Sequence, residues 1–583
     1  MTGCDSRTAS FIHRILRGAQ LLFLSAATTL AAADVPTLEH IFPVAAAVGT
    51  SNTITFTGKF QPWPTKVWVD APGIAFEPQK DKGKFSVTVS TNAPIGPHLI
   101  RVYNDEGASA PRFLLVTRDR EESEQEPNDA FDKPQVLPVL PTVVNGRLDK
   151  SGDIDSFAVP LEAGQEVIAW IESYTLGSTV DGTLRLVDAA GTQVAFNHDG
   201  VTLDPLLIWK ANRKATYTLQ FFGFVYPAGS EIKLTGGEGC VYRLHISTGP
   251  IVRYTLPLAA QRNARTRLEL HGANLERSAI AKTIDFDATA LAPDVTSKVL
   301  RIGGEDSSYS MPVSSVAELM EIEPNNSVKE AMPLPVPAAV TGRIEQPGDE
   351  DFFSIEAKKQ ESYEISVQSA AFGLPLDAWV KVIDATGKEL TRTDDADGSR
   401  DPRLTWTAPE SGRFVVVVGD LTRKGGPEYW YRLQVTRAEP SLRATVDTSA
   451  FTVRAGRTND IKIALKRLNG HSSKLRIQLS NPPQGVEAAP VDVDAKSNEA
   501  VLKMIASKEA PGWNGPVQIL VRDLDKEVEQ KARFSLVSTG ENNGVPQGYT
   551  QLLIDSTDQL WLTVTLQPPA KESNEKPNAA KKE

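Results

Sequence analysis

An internal duplication is the feature that most constrains the fold of this 583-residue chain. The first copy carries the acidic segment Glu124–Asp129, and the second carries a matching segment at Glu321–Asn326. Ordered matches at a constant spacing do not arise from composition, so we predict two copies of one domain, at residues 124–248 and 321–437. Further residue pairs keep their order at an offset of 196 residues: Asp153 with Asp349, Asp181 with Asp377, Asp188 with Asp384, Gly191 with Gly387, and Asp199 with Asp395.

A looser repetition precedes each copy. Ile41–Val44 is followed by Gly58, and Thr255–Leu258 is followed by Gly272. This pattern predicts a smaller domain in front of each copy of the larger one. The charged segments at 118–125 and 316–322, which join the smaller domains to the larger ones, are predicted to be linkers.

The hydrophobic pattern is that of β-strands along most of the chain. Thr53–Thr57 and Phe85–Ser90 alternate between apolar and polar residues, which is typical of half-buried strands. Phe414–Val418 is a continuous apolar run and predicts a strand that is buried on both faces. The 41 glycines and 39 prolines suit many short strands and turns, so the predicted fold class is all-β, with β-sandwiches in tandem.

Residues 1–33 have the pattern of a secretory signal peptide. Arg7, Arg14 and Arg17 precede an uncharged run that ends in three alanines, as cleavage sites do. The run is shorter than the ~20 residues of a membrane-spanning helix, which favours cleavage over a single-span anchor. We therefore expect a secreted, periplasmic or cell-surface protein with no membrane span after cleavage.

Net charge limits the partners that this chain can bind, and cysteine content limits how its fold can be stabilised. The formal net charge is −11, and removal of three arginines and Asp5 with the signal peptide makes it −13. An acidic exported chain is a poor candidate for binding nucleic acid and a fair candidate for binding cations. Only Cys240 remains after cleavage, so no internal disulfide can form; the simplest interpretation of Cys240 is a small buried apolar residue.

The acidic segments have the spacing of a cation site. In the first copy Glu124, Glu126 and Asn128 lie two residues apart, and Pro127 favours an extended backbone before it. Side chains two apart in an extended segment point the same way, so three oxygen-bearing groups would repel one another unless a cation lay among them. The second copy repeats this arrangement with Glu321, Glu323 and Asn325.

A second acidic pair follows in each copy, at Asp153 and Asp155 and at Asp349 and Asp351. If this turn folds onto the acidic segment, about six oxygens converge, which is the coordination that Ca²⁺ prefers. Magnesium demands tighter geometry, and no histidine or cysteine is close enough in sequence to favour zinc. The predicted calcium ligands are Glu124, Glu126, Asn128, Asp129, Asp153 and Asp155 in the first copy, and Glu321, Glu323, Asn325, Asn326, Asp349 and Asp351 in the second.

The alternative is that these acids are solvated caps and turn residues, which are common for local hydrogen-bonding reasons. Repetition of the same ligand types favours the ion site. Asn326 stands where the first copy has Asp129, so the second copy has one charge fewer and is expected to bind more weakly.

Both repeats resemble the bacterial pre-peptidase C-terminal domain. The common pattern runs from Glu-Pro-Asn through Gly-Asp-x-Asp-x-Phe and Asp-x-x-Gly to a closing Tyr-Arg-Leu. Its pieces are Gly146–Leu148, Gly152–Phe157, Asp181, Asp188–Gly191 and Tyr242–Leu244 in the first copy, and Gly342–Ile344, Gly348–Phe353, Leu376–Asp377, Asp384–Gly387 and Tyr431–Leu433 in the second. The two smaller domains loosely resemble immunoglobulin-like TIG modules.

The resemblance implies a jelly-roll-like β-sandwich of exported proteins, often appended to peptidases. The collagen-binding modules of bacterial collagenases are similar, with Ca²⁺ at the N-terminal linker, and this points to the same first-copy ligands as the spacing does. The predicted organisation is a signal peptide at 1–33, Ig-like or TIG-like sandwiches at 34–117 and 249–318, pre-peptidase-like sandwiches at 118–248 and 319–438, an Ig-like sandwich at 439–566, and a disordered tail at 567–583.

The expected function is binding rather than catalysis. The sequence contains no Gly-x-Ser-x-Gly elbow, no His-Glu-x-x-His helix and no phosphate-binding loop, and its histidines are scattered singly. We expect an adhesion or binding protein with calcium-stabilised modules that recognises an extracellular polysaccharide, a matrix protein or a co-secreted enzyme. The alternatives are a structural component of the cell envelope or surface layer, an accessory subunit of a secreted peptidase, and an enzyme of unrecognised type.

Overall fold

The computed structural model describes residues 34–200, 203–224, 233–277, 280–302, 308–396, 399–537 and 552–566. Within these ranges the regular secondary structure is nearly all β-strand, with no α-helix, so the predicted class of tandem β-sandwiches is confirmed. In the same ranges no helix has the length and apolar character needed to span a membrane. The predicted signal peptide and C-terminal tail lie outside the described residues. The 3₁₀ segments are Tyr174–Leu176, Leu275–Arg277 and Ala370–Phe372.

Grouping the strands by sheet gives five units, which we number in chain order. Unit 1 has the sheets β1-β3-β6-β5 and β2-β9-β7-β4, with β8 paired to β7. Its core is apolar and includes Phe56, Phe85 and Leu114. The strands of unit 1 are β1 Thr37–Phe42, β2 Ala45–Ala47, β3 Ser51–Lys59, β4 Lys66–Val69, β5 Ile74–Pro78, β6 Lys84–Val89, β7 Gly96–Asn104, β8 Gly107–Ala108 and β9 Arg112–Thr117.

Units 2 and 4 have the same topology strand for strand. Unit 2 has the sheets β10-β12-β19-β14-β17 and β11-β13-β18-β15-β16, and unit 4 has β26-β28-β35-β30-β33 and β27-β29-β34-β31-β32. Each strand of unit 4 is therefore the counterpart of the strand numbered sixteen lower in unit 2. This identity of sheet order is what two copies of one domain require.

The bounds of these twenty strands are as follows. Unit 2 comprises β10 Glu121–Ser123, β11 Gln135–Val136, β12 Thr142–Arg147, β13 Asp155–Leu161, β14 Glu166–Glu172, β15 Asp181–Val187, β16 Gln193–Asn197, β17 Leu206–Lys210, β18 Ala215–Phe224 and β19 Val241–Ser247. Unit 4 comprises β26 Ala317–Met320, β27 Met332–Pro333, β28 Ala338–Arg343, β29 Glu350–Ala357, β30 Ser362–Gln368, β31 Ala378–Asp384, β32 Glu389–Thr393, β33 Arg403–Thr407, β34 Gly412–Asp420 and β35 Trp430–Arg437.

Unit 3 is smaller, with two three-stranded sheets, β20-β22-β23 and β21-β25-β24. Its strands are β20 Ile251–Leu256, β21 Ala260–Gln261, β22 Arg265–Ala273, β23 Thr283–Asp287, β24 Ser297–Arg301 and β25 Ser308–Ser314.

Unit 5 has the sheets β40-β42-β38-β36-β45-β46 and β37-β47-β43-β39-β41, with β44 paired to β43. Its strands are β36 Ser441–Val446, β37 Ala450–Arg454, β38 Thr458–Leu468, β39 Leu475–Ser480, β40 Val486–Glu487, β41 Val491–Val493, β42 Glu499–Ala506, β43 Trp513–Asp523, β44 Glu529–Lys531, β45 Arg533–Ser535, β46 Ser556–Thr557 and β47 Leu560–Thr565.

Strand β34 shows how sequence pattern sets burial in these sandwiches. Phe414–Val418 lies within it and is buried along its whole length, as the unbroken apolar run predicts. The residues alternate between the core of unit 4, which contains Val416 and Val418, and a second cluster on the outer side of the sheet, which contains Val415 and Val417.

The charged segments at 118–125 and 316–322, which read as linkers in the sequence, each contain a strand. Strand β10 pairs in parallel with β12, and β26 pairs in parallel with β28. The prediction of linkers was therefore wrong at these segments. A charged strand is stable at this sheet edge because buried arginines from β19 and β35 bind its carboxylates: Arg243 binds Glu121, and Arg432 binds Glu318 at 2.6 Å.

Candidate metal centre

The acidic segment of the first repeat lies in the loop between β10 and β11. The peptide bond between Glu126 and Pro127 is cis, and the corresponding bond between Glu323 and Pro324 in the second repeat is also cis. The backbone N–H of Glu124 donates to the carbonyl oxygen of Asn145 at 3.0 Å, which fixes the segment to β12. The loop therefore lies against the sheet rather than extending away from it.

Tyr242, on β19, joins the two acidic parts of the first repeat. Its phenol O–H donates to Asp155 Oδ2 at 2.6 Å and lies 3.0 Å from Glu124 Oε2. The backbone N–H of Arg147 also donates to Glu124 Oε2, at 2.8 Å. These contacts hold one carboxylate from the loop and one from β13 side by side in the interior.

Five carboxylates of the first repeat form two groups that share one member. Oxygens of Glu124, Glu126 and Asp155 lie within 4.8 Å of one another, and so do oxygens of Glu126, Asp129 and Asp153. The two halves of the predicted site, which are separated by more than twenty residues in sequence, are thus brought together by the fold.

Several buried polar atoms of the first repeat have no hydrogen-bond partner. They are Oδ1 and Nδ2 of Asn128, Oδ1 of Asp153 and Oδ1 of Asp155, on side chains that are almost wholly buried. The nearest cation is Lys150, whose exposed Nζ lies 3.7 Å from Asp129 and 3.9 Å from Asp153. Leaving a buried polar atom unsatisfied costs roughly 1–3 kcal/mol, so a ligand that bound the three unpartnered oxygens would relieve that cost.

Burial and mutual repulsion both disfavour the charged forms of these acids. Burial is the main cause that raises the pKa of Glu124, and the neighbouring Asp155 adds to it. Burial likewise raises the pKa of Asp155, and it raises the pKa of Asp153 to about 6. A positive charge among these oxygens would reverse both effects.

The second repeat builds the same arrangement from the equivalent residues. Tyr431, on β35, donates to Asp351 Oδ2 at 2.6 Å and lies 3.3 Å from Glu321 Oε1. Oxygens of Glu321, Glu323 and Asp351 lie within 4.8 Å of one another. Oδ1 of Asp351 and Oδ1 of Asn325 are buried without a hydrogen-bond partner. Burial is again the main cause that raises the pKa of Glu321 and of Asp351.

The two repeats differ in the outer half of the site. Asn326 has no carboxylate, and Asp349 is half-buried whereas its counterpart Asp153 is buried. The described carboxylate group of this repeat includes neither residue. In addition, Nδ2 of Asn325 donates to Glu321 Oε1 at 2.7 Å, whereas Asn128 of the first repeat has no such bond.

Reasoning from sequence missed the tyrosines and the glycines that make room for them. Gly146 lies directly opposite Tyr242 in the pairing of β12 with β19, and Gly342 lies opposite Tyr431. A Cβ at Gly146 would overlap the phenol of Tyr242 and the carboxylate of Glu124. The signal was the closing Tyr-Arg-Leu of both repeats, which marked the repeat but had no assigned role.

The arginine of that motif anchors the strand in front of the acidic segment. Arg243 is buried and bound by the carboxylates of Asp119, Glu121 and Glu172. Two neighbouring residues of one motif therefore hold adjacent parts of the chain: Arg243 holds strand β10, and Tyr242 holds the acidic loop that follows it.

A fourth group of possible ligands lies away from the two acidic clusters. Asp181, His198 and Asp199 lie within 4.8 Å of one another. The imidazole of His198 lies 3.4 Å from Asp181 and 3.3 Å from Asp199, between the two carboxylates.

Comparison with protein-family models and with curated proteins gives no significant match. Among solved structures, the pre-peptidase C-terminal domain of a collagenase from Bacillus anthracis matches at 13% identity and a TM-score of 0.15, over 22% of this chain and 100% of that one. Tripeptidyl peptidase 2 matches at 9% identity and a TM-score of 0.14, over 90% of this chain and 39% of that one. The N-terminal eight Ig domains of Down syndrome cell adhesion molecule match at 9% identity and a TM-score of 0.13, over 86% and 72%. At such TM-scores the similarity to pre-peptidase C-terminal domains rests on the residue motifs.

Proposed function

We propose that both acidic clusters bind Ca²⁺ and that the chain is an exported, non-catalytic binding protein whose sandwiches the ions stabilise. The observation that carries the metal assignment is the set of buried oxygens without a partner, on Asn128, Asp153 and Asp155 in one repeat and on Asn325 and Asp351 in the other. These atoms lie on residues of the acidic segments and turns where the sequence predicts ligands.

The donor set suits calcium. Carboxylate and carboxamide oxygens are the ligands of hard cations, and the two clusters contain neither histidine nor cysteine. A bound cation would satisfy the unpartnered oxygens and offset the repulsion that raises the pKa values of the buried carboxylates. Glu124, Glu126, Asn128, Asp129, Asp153 and Asp155 would hold it in the first repeat, and Glu321, Glu323, Asn325 and Asp351 in the second.

The position of the clusters supports a binding role. Each lies where the chain enters a sandwich, directly after the edge strand β10 or β26. A cation there would fix the direction of the preceding unit relative to the sandwich. Fixed angles between successive modules favour recognition of an extended extracellular partner, either polysaccharide or protein, at several surfaces along the chain.

A second candidate, a structural component of the cell envelope, is favoured by a different contact. The guanidinium of Arg101 in unit 1 donates to Ser449 Oγ in unit 5 at 3.2 Å, and Trp68 packs against Trp561 with ring centroids 5.6 Å apart. These contacts join the first unit to the last. A chain closed in this way suits a rigid scaffold as well as a binding protein.

Thermal unfolding with added Ca²⁺ and with EDTA tests the metal assignment. We expect Ca²⁺ to raise the melting temperature, since ligand at a hundredfold excess over its dissociation constant adds roughly 2.7 kcal/mol to folding stability. Glu126→Gln should remove most of the shift, and Glu162→Gln, an exposed acid of the same sandwich, should preserve it. An unchanged melting temperature in EDTA would refute the calcium sites.

Pull-down on insoluble collagen, chitin and cellulose separates a binding protein from a structural component. Retention on one of these supports would favour binding, and self-assembly without retention would favour the envelope component. Turnover of a generic ester, peptide or glycan substrate by the purified chain would overturn the proposal that it is non-catalytic.

A further inference from the structure

A pocket of about 310 Å³ lies between unit 2 and unit 3. On the unit 2 side its described lining comes from strands β12, β19, β14 and β17, which are neighbours in one sheet. On the unit 3 side it comes from β20. Sites for small molecules usually have volumes of roughly 300–1,000 Å³ and often lie where two domains meet. The pocket therefore has the size and position of a ligand site.

A stacked aromatic pair stands on this sheet. Val167, Ala169 and Ile171 of β14 belong to the core of unit 2, so Trp170 points to the other face. The indole of Trp170 lies parallel to the imidazole of His245, its direct partner on β19, with ring centroids 4.3 Å apart. Trp170 is only half-buried and is part of neither the described core of unit 2 nor that of unit 3.

The stacked pair keeps polar atoms available to a ligand. Among the described hydrogen bonds, none uses Nε1 of Trp170 or Nδ1 of His245, and neither residue has a further partner. The other imidazole nitrogen, Nε2, lies 3.3 Å from the carboxylate of Glu172. The indole N–H can therefore donate to a ligand, and the imidazole Nδ1 can exchange a hydrogen bond with one.

Aliphatic side chains form much of the remaining lining, and they come from both units. A ligand that fills the pocket must therefore cover apolar surface with its own C–H groups. The aliphatic residues of the described lining include Val143, Ile168, Leu206, Ile251 and Val252.

The charged side chains of the described lining already have partners of opposite charge. The pairs are Asp119 with Arg243 at 3.5 Å, Arg120 with Glu122 at 3.0 Å, and Arg253 with Glu428 at 3.2 Å. Because these charges are balanced in pairs, the pocket favours a ligand without net charge. Arg120 can still donate hydrogen bonds, since its bond to Glu122 uses only Nε and a guanidinium has five N–H groups.

Unit 4 has the same sheet but a different surface on it. Strand pairing places four polar residues of unit 4 at the positions of the apolar and aromatic residues of unit 2. The same sandwich therefore forms with polar side chains there, so the fold itself does not require the apolar face of unit 2. The equivalent residues are Glu364 for Ile168, Ser366 for Trp170, Arg403 for Leu206 and Gln434 for His245.

We propose that this pocket binds a neutral sugar unit of an extracellular polysaccharide. A sugar ring carries C–H groups, which suit the aliphatic and aromatic walls, and hydroxyl groups, each of which both donates and accepts hydrogen bonds. The hydroxyls would accept from the indole N–H of Trp170 and from Arg120, and would donate to the carboxylate of Asp119. An apolar side chain of a protein would leave these groups unmatched. The assignment rests on the proposed binding function and deepens it by naming the class of partner.

Calorimetric titration of the full chain with four neutral oligosaccharides tests the pocket. The probes are the hexamers of β-1,4-linked glucose, N-acetylglucosamine, mannose and xylose, and we expect at least one to bind. Trp170→Ser installs the residue of unit 4 and should weaken that binding roughly tenfold or more. Leu206→Arg also installs the unit 4 residue; its longer side chain would occupy the pocket and should weaken binding at least as much.

A matched control exchanges a tryptophan at the other junction of this kind. Trp430 lies between units 3 and 4, and Trp430→Val installs the residue that unit 2 has there, Val241. This variant should bind the sugar as the unaltered chain does. Equal weakening by Trp430→Val and Trp170→Ser would overturn the proposal, and so would full binding by Trp170→Ser. If Trp170→Ser fails to fold, Leu206→Arg decides in the same way.

Two further outcomes separate this proposal from its rivals. Absence of binding to all four sugars, or tighter binding of a hexaproline or hexaleucine peptide than of any sugar, would overturn the sugar pocket. Titration in EDTA separates it from the calcium sites. A melting temperature that EDTA does not change, with sugar binding retained, would refute the calcium sites and leave the pocket standing. A chain that responds to EDTA and binds no sugar would do the reverse.

Discussion

Tyr242 donates its phenol O–H to Asp155 Oδ2 at 2.6 Å, and Tyr431 makes the same bond to Asp351 at the same distance in the second repeat. Each tyrosine is fully buried and is the one described hydroxyl that touches both a loop acid and a strand acid of its cluster. The tyrosines therefore set the spacing of the carboxylates that a cation would bind.

Tyr242→Phe should weaken calcium binding at the first repeat and lower the stability of the protein. Removal of the donor leaves Asp155 and Glu124 with fewer partners in a buried site, which costs roughly 1–3 kcal/mol. Urea denaturation and calorimetric titration with Ca²⁺ measure the two effects. Tyr217→Phe is a suitable control, because Tyr217 is buried in the same core and its hydroxyl bonds only weakly, to Arg213 O at 3.4 Å. Equal losses in both variants would argue against a special role for Tyr242.

Gly146→Ala should be more damaging than an alanine substitution at an ordinary glycine. The new methyl group would overlap both the Tyr242 phenol and Glu124, and overpacking of this kind costs about 1–3 kcal/mol. We expect a lower melting temperature together with a loss of the calcium response at that repeat. Gly512→Ala serves as the comparison, since a Cβ there meets only ordinary contacts at 3.7 Å or more. A calcium response that survives Gly146→Ala would contradict the geometry assigned to the site.

The two repeats should differ in calcium affinity, with the first one tighter. Asp129 belongs to the second carboxylate group of the first repeat, and its counterpart Asn326 is neutral. Ligand charge tunes calcium affinity, so Asp129→Asn should weaken the first site and Asn326→Asp should strengthen the second, each by roughly tenfold. Titration calorimetry of each variant gives both affinities. Two sites of equal affinity in the unaltered chain would refute the expected order.

Acid should destabilise unit 2 through Glu172. Burial alone would raise the pKa of Glu172, but attraction to His245 and Arg243 and the hydrogen bond from Arg243 outweigh it and lower the pKa to about 2. Because the folded-state pKa lies below the ordinary value of 4.5, this carboxylate stabilises the fold above pH 4.5, and its contribution is lost as pH falls toward 2.

Glu172→Gln should therefore be less stable at pH 7 and should lose less further stability on acidification than the unaltered chain. Urea denaturation at pH 7, 4 and 3 measures the slope, with the exposed Glu162→Gln as control. The same slope with and without the Glu172 carboxylate would show that other groups cause the acid sensitivity.

The acidic ligands could be predicted from sequence because they are local and repeated. Glu124 and Glu126 lie within one short segment, and alternation predicted the strands around them. Tyr242 could not be predicted, because it lies 118 residues after Glu124 and reaches it only through the antiparallel pairing of β12 with β19. The role of Gly146 could not be predicted either, because glycine is needed there only to make room for Tyr242, which lies opposite it in that pairing.

The charged segment before each acidic loop was wrongly predicted to be a linker for a related reason. Glu121 and Glu318 look like residues of a solvated linker, and their partners, Arg243 and Arg432, lie more than a hundred residues away. Charge alone predicts exposure, and a non-local ion pair reverses that expectation.

The hydrogen bond from Arg101 of unit 1 to Ser449 of unit 5 joins residues that are 348 positions apart, and it leads to a last prediction. Arg101 is wholly buried, and burial lowers its pKa to about 10. No carboxylate is among its described partners. Its guanidinium donates hydrogen bonds at 2.8–3.3 Å to Ser109 O, Ser449 Oγ, Ser449 O and Gln559 O. Arg101→Met would remove the donors to Ser109 O and Gln559 O, at roughly 1–3 kcal/mol for each carbonyl left unsatisfied, so we expect unit 1 to separate from unit 5. Ser449 O would keep the hydrogen bond from the backbone N–H of Trp561. Small-angle X-ray scattering should show a larger radius of gyration, with exposed Arg265→Met unchanged as control. A compact Arg101→Met chain of normal stability would show that Trp68, Tyr103 and Trp561 suffice to join the two units.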